Sequence, residues 1–154
     1  NVVLELEPAV APITVNNFLG YVNSGYYQGT LFHRVISGFV VQGGGYTTGM
    51  VKKPGQLAAI ALETNKGLSN TEGTVAMARR NDPDTATSEF YINLKDNLAL
   101  DYQSNTEPGY AVFGKVLQGM DVVTNIAIVQ TASNNGFADV PTEDVTISFA
   151  VQTR

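Results

Sequence analysis

Short β-like runs, cut at close intervals by Gly, Pro, Asn and Asp, constrain the fold of this chain more than any other feature. They fall at 30–36, 39–43, 57–62, 74–79, 89–95, 110–117 and 145–152. An opening segment, NVVLELE, alternates Val2, Leu4 and Leu6 with Val3, Glu5 and Glu7 until Pro8 and Pro12 end it. VTISFAVQ is the clearest strand pattern, with Val145, Ile147, Phe149 and Val151 on one face and Thr146, Ser148, Ala150 and Gln152 on the other. Two stretches are helical instead. TVNNFLGYVNSG spaces Val15, Phe18, Leu19 and Val22 as one helix face, with Thr14 as N-cap and Gly25 as the stop. GMDVVTNIA (119–127) predicts a second, shorter helix. Many short strands and two helices predict a mainly β fold, a closed antiparallel barrel with helices over its open ends.

A chain of 154 residues is expected to form a single domain, 1–154, with a core that needs no staples. A net charge of −5 argues against the nucleic-acid backbone as its main partner, since that requires a basic face. No run approaches the roughly 18 apolar residues of a membrane span. Cysteine is absent, which removes thiol catalysis and Cys-based metal sites and leaves the redox compartment unread. The sequence opens at Asn1 without an initiator Met, as either a mature exported protein or a trimmed chain would.

Most candidate sites fall away on inspection. His33 is the only histidine, so a His-rich metal site is excluded. GGG (43–45) lacks the spacing and the Lys of a phosphate loop and reads as a flexible turn. DPDTATSE (82–89) offers a carboxylate pair for glycoside chemistry, but Asp82 and Asp84 flank Pro83 in what reads as a solvated turn. No Ser–His–Asp spacing stands out.

LFHRVISGFVVQGGG (31–45) carries more. A hairpin bent at Gly38 sets Arg34 opposite Gln42, Val35 opposite Val41 and Ile36 opposite Val40. Two arrangements satisfy that pairing. Either both polar side chains point into water, or the Gln42 carboxamide holds the Arg34 guanidinium without neutralising it. In SEFYINLK, Phe90, Ile92 and Leu94 form the apolar phase, which puts Glu89 and Tyr91 together on the opposite face. Arg, Gln, Tyr and Glu beside Phe39 and Val40 make a mixed apolar and hydrogen-bonding groove.

FHRVISGFVVQGGG (32–45), GTVAMARR (73–80), ATSEFYINL (86–94) and GYAVFGKVLQGMDVV (109–123) together resemble the cyclophilin family of peptidyl-prolyl cis/trans isomerases. The likeness runs over essentially the whole chain, and the DYQSNTEPGYAVFG and NKGLSNTEGTVAMAR segments are similar to bacterial, particularly exported, members. The resemblance implies a closed eight-stranded antiparallel β-barrel capped by two α-helices, with its groove on the outer surface. It implies Arg34 as the catalytic arginine, Gln42 as the residue that orients it, and Phe39 and His33 as further members of the catalytic set.

The proline pocket would then be walled by Phe39, Val40 (where Met is usual), Tyr91 (where Phe is usual) and Leu100. The backbone at Ala78 and Arg79 would hold the substrate chain. Glu89 stands where Gln is usual, Tyr110 where His is usual, and Ala99 where an aromatic is common. A carboxylate at 89 is expected to pair with Arg34 and tie up a donor, with holding Arg34 in place as the alternative. The implied partners are proline-containing peptides and unfolded chains, with weak cyclosporin binding, a monomeric state, and neither nucleic acid nor membrane. No cofactor or metal is implied. The implied location is the bacterial periplasm, with the cytoplasm as alternative. The altered rim leaves a rival reading, a proline-peptide binding module that has lost useful turnover.

Overall fold

The computed structural model describes residues 1–153. In chain order the elements are β1 (Val3–Leu6), α1 (Pro12–Asn23), β2 (Arg34–Ile36), β3 (Val40–Gly43), β4 (Tyr46–Thr47) and β5 (Val51–Lys52). They continue with β6 (Thr74–Met77), β7 (Phe90–Asn93), β8 (Val112–Gln118), α2 (Met120–Ala127), β9 (Thr131–Asn134) and β10 (Phe137–Pro141). One antiparallel sheet of six strands runs β1-β8-β6-β7-β3-β2, and β4–β5 and β9–β10 are two-stranded ribbons. No helix is long and apolar enough to cross a membrane, among the described residues.

Alternation along the strands separates two apolar clusters. Val35, Val41, Ile92 and Val75 lie in one register row and pack inward with Phe90, Met77 and Phe113. Val15, Phe18 and Val22 of α1 and Val123 and Ala127 of α2 complete this core. The opposite phase holds a smaller cluster of Val40, Ala76, Tyr91 and Val112, with Phe39, Ala78, Leu100 and Tyr110 against it. The second cluster is the floor of the candidate site.

Helix α1 is capped from a distance. Thr14 is not the N-cap: Ala11 occupies that position and has no side chain to accept a hydrogen bond. Pro12 has no N–H to satisfy. The buried carboxylate of Glu63 takes the orphan donors instead, Oε1 accepting from the Thr14 N–H and hydroxyl, both at 2.6 Å. Gly25, at φ 71°, ends the helix as its position in the sequence predicts.

Two runs fall short of full strands. In 145–152 the pairing is a single bridge, Leu31 with Thr146, supported by backbone bonds between 29–32 and 145–147. Beyond it Phe149 and Val151 are 65% and 66% exposed, so the alternation there does not mark a buried face. In 57–62 only Ile60 pairs, with Ala86. Conversely, the β9–β10 ribbon escapes the run-based reading. Its turn residues, Asn135 (φ 48°) and Gly136 (φ 82°), are an Asn-Gly hairpin signal.

Candidate active site

One register row crosses five strands on the outer face: Arg34 faces Gln42, Gln42 faces Tyr91, Tyr91 faces Ala76, and Ala76 faces Val112. The row is polar at one end and apolar at the other. At the polar end Arg34 Nη1 donates to Gln42 Oε1 at 3.1 Å. Gln42 Nε2 then donates to Glu89 Oε1 at 3.2 Å, and His33 Nε2 meets the same oxygen at 3.1 Å. The hairpin register is the one read from the sequence, and both side chains are half-buried. Of the two arrangements open in the sequence, the structure has the amide holding the guanidinium.

The position of Glu89 corrects an expectation. Its carboxylate engages His33 and Gln42, and no carboxylate lies within ion-pair distance of Arg34 among the described residues. Gly45 is the physical reason. A Cβ built there would stand 2.5 Å from Glu89 Cγ, so the missing side chain leaves the space in which Glu89 lies down. Burial raises the Glu89 pKa, but hydrogen bonds from His33 and Gln42 and the positive field of His33 and Lys52 outweigh it, leaving the carboxyl below its usual 4.5.

Gly43–Gly45 is therefore not a flexible turn. All three glycines are buried, and added Cβ atoms at Gly43 and Gly44 would meet the Leu31 carbonyl at 2.7 Å and the Tyr27 ring at 2.8 Å. Gly44 also holds φ 88°, where a side chain is strained. Tight packing, not mobility, demands glycine here.

His33 is 4% exposed and lies under the face, its ring 4.7 Å from that of Tyr46. Its Nε2 donates to Glu89, and Nδ1 is buried without a hydrogen-bond partner. The enclosed ring meets the outer face at Glu89.

At the apolar end, Val40 and Tyr91 form a buried floor with Phe39 and Leu100 beside it. The Tyr91 hydroxyl donates to Asn70 Oδ1 at 2.7 Å, and desolvation drives its pKa far above the ordinary phenol value. Asn70 is fully buried; it also accepts from Asn93 and donates from its backbone and side chain to Asp101 at 2.7 and 2.8 Å. Asn97 Nδ2 donates to the Phe39 carbonyl at 3.0 Å and to Asn93. This asparagine network fixes the floor from behind and is absent from the sequence reading. Its signal was Asn93, a polar residue in the same strand phase as Tyr91.

The rim is open. A cleft of about 650 Å³ is bordered by Arg79, Leu98, Ala99 and Tyr110. The Arg79 guanidinium stacks on the Tyr110 ring at 4.6 Å and donates to the Gly109 carbonyl at 2.9 Å. Tyr110 in turn meets Tyr91 edge-on at 6.0 Å. Ala99 is exposed in a short 3₁₀ turn, Leu98–Leu100. The Ala78 N–H is already bonded to the Glu89 carbonyl at 3.0 Å, so a peptide along 78–79 must use other backbone groups. Asp82 and Asp84 are exposed and apart from this face, and Asp84 accepts from the Leu62 N–H at 2.8 Å.

The sequence profile described as "Cyclophilin type peptidyl-prolyl cis-trans isomerase/CLD" matches residues 1–151. The chain belongs to the cyclophilin family. A peptidyl-prolyl cis-trans isomerase of Streptomyces antibioticus is 54% identical over 151 residues, covering 97% of this chain and 90% of that protein. Peptidyl-prolyl cis-trans isomerase B of Escherichia coli is 48% identical over 139 residues, covering 89% and 84%. In three dimensions this cyclophilin superposes on a Cryptosporidium parvum cyclophilin, crystallised in the presence of the dipeptide Ala-Pro, with a TM-score of 0.78. That pair is 24% identical, covers 99% of this chain and 93% of the other, and speaks for the fold.

Proposed function

We propose that this cyclophilin accelerates rotation about X–Pro bonds in unfolded or flexible chains with Arg34 as its catalytic group, and so assists protein folding. Rotation must break amide resonance, a barrier of ~18–20 kcal/mol. In the twisted transition state the prolyl nitrogen pyramidalises and regains a lone pair. A donor aimed at that nitrogen stabilises the twisted state and offers little to the planar ones, which is the differential binding that catalysis requires. The step makes and breaks no covalent bond, so it asks for no nucleophile and no proton transfer.

One observation carries the reading. Arg34 is held by an amide oxygen rather than by a carboxylate, at the edge of an apolar floor. Its charge is oriented yet not cancelled. Val40, Tyr91, Phe39 and Leu100 offer the proline ring a dry seat, and the segment at Ala78–Arg79 borders the path of the neighbouring peptide.

Further elements of this reading are a closed eight-stranded barrel, a monomeric state, weak cyclosporin binding and a periplasmic location, with the cytoplasm as alternative. The extended pairing of 145–147 with 29–32, next to β2, supports closure. NMR exchange on an Ala-Pro peptide tests the activity. The expected result is cis/trans exchange that rises in proportion to enzyme. Peptide binding without accelerated exchange would return the rival, a binding module.

A further inference from the structure

Gln42 can hold Arg34 in only one of its two amide orientations, and Arg34 is not its only neighbour. Its Oε1 accepts from Arg34 while its Nε2 donates to Glu89 Oε1. Turning the amide over would set Oε1 against a carboxylate and Nε2 against a guanidinium, failing at both ends. An ionised carboxylate accepts and never donates, so Glu89 forbids the flipped state from its own side. We propose that Glu89 is a positioning residue that locks the Gln42 amide with its oxygen toward Arg34.

Three observations support that lock. Gly45 leaves the room in which the Glu89 side chain lies. His33, buried and with Nε2 directed at the same Oε1, anchors the carboxylate from beneath. Arg34 has no competing carboxylate among the described residues, so donation runs from Arg34 to Gln42 to Glu89, and His33 meets the same Glu89 oxygen from the other side. Glu89 thus acts through Gln42 and need not touch the peptide. What the lock requires is an acceptor at position 89, not the negative charge as such. A glutamine there could present its own oxygen to both His33 and Gln42.

The test compares Glu89→Gln with Glu89→Met, which is of similar length but offers no comparable acceptor, each alone and in a Gln42→Ala background. Expected for Glu89→Met is a kcat about 5-fold lower with KM unchanged, and for Glu89→Gln a kcat within about 2-fold of the parent. In the Gln42→Ala background the Met effect should vanish, because nothing remains to be locked. Should Glu89→Met fail to fold, Gly45→Ala displaces the carboxylate without removing it and should show the same loss with the same dependence on Gln42. This inference rests on the isomerase reading, so the Gln42 side-chain amide signal in a ¹H–¹⁵N spectrum gives a readout independent of turnover. It should shift in Glu89→Met and keep its parental position in Glu89→Gln. An equal kcat loss with and without Gln42, a loss confined to KM, or a Gln42 amide signal indifferent to Glu89→Met would overturn the proposal.

Discussion

Arg34 and Gln42 stand opposite each other on adjacent strands, and Nη1 of the first donates to Oε1 of the second at 3.1 Å. A guanidinium held in this way is oriented at little cost in charge. Arg34→Ala is expected to lower the isomerisation rate constant by about 10-fold or more, each tenfold step being about 1.4 kcal/mol of transition-state stabilisation. Arg34→Lys should recover little, because an ammonium lacks the planar fork that Gln42 orients. Line-shape or exchange NMR on a proline peptide measures both. Near-parental rates in folded Arg34→Ala would sink the mechanism.

Asn70 joins the pocket floor to the segment behind it, accepting from Tyr91 and Asn93 while donating to Asp101. Asn70→Ala strands several buried polar groups at once and should cost about 2–4 kcal/mol in urea unfolding. Tyr91→Phe removes one donor, and Asn70 Oδ1 keeps Asn93, so a loss near 1 kcal/mol is expected with turnover little changed. Equal losses in the two variants would contradict the hub role of Asn70.

Glu89 carries a pH signature. Burial opposes its ionisation, but His33, Gln42 and Lys52 more than offset this and hold the folded carboxyl below the ordinary 4.5. A lowered folded pKa means that the unfolded chain takes up the proton first as pH falls. The stabilisation is therefore complete above about 4.5 and is lost as pH drops through the folded value. Unfolding curves at a series of pH values should show the parent's advantage over Glu89→Gln shrinking below that point. An advantage that grows on acidification would reverse the assignment.

Ala99 bears on inhibitor sensitivity. Cyclophilins that bind cyclosporin tightly typically present a tryptophan at the matching position, and this chain has no Trp to stand in. Alanine, exposed on its 3₁₀ turn, offers neither the indole N–H nor the area, a deficit worth about 2 kcal/mol or more. The floor at Val40 and Tyr91 is a different surface, so peptide turnover and cyclosporin affinity should separate. Ala99→Trp should tighten cyclosporin binding while turnover stays within a few-fold. Nanomolar inhibition of the parent, about −12 kcal/mol of binding, would refute this.

What could be read in advance was whatever short-range pattern decides. The hairpin around Gly38 was legible because its bend fixes the register, and the phase of β7 was legible because side chains alternate. The residues that failed depend on distant partners. Thr14 resembled a cap until Glu63 supplied the acceptor from 49 positions away. The carboxylate of Glu89 seemed destined for Arg34, and only the bare backbone of Gly45 turns it toward His33. Alternation in 145–152 reports which side chains share a face, but not whether a neighbour covers that face.

The glycine strip has a consequence for how such a catalyst can change. At the Arg34 end of the row, Gly43, Gly44 and Gly45 leave no space for another side chain, and His33 and Glu89 fill what remains. Sequence drift there is closed off. Arg79, Leu98, Ala99 and Tyr110 border an open cleft, and in the proposed mechanism they would face the peptide residues beside the rotating bond. On the proposed mechanism, client preference and bond rotation would then occupy separable parts of one surface. A library confined to the rim would shift which flanking residues are favoured and leave the chemical step intact, so new clients are reached by evolving the loops beside the sheet while the Arg34 end stands still.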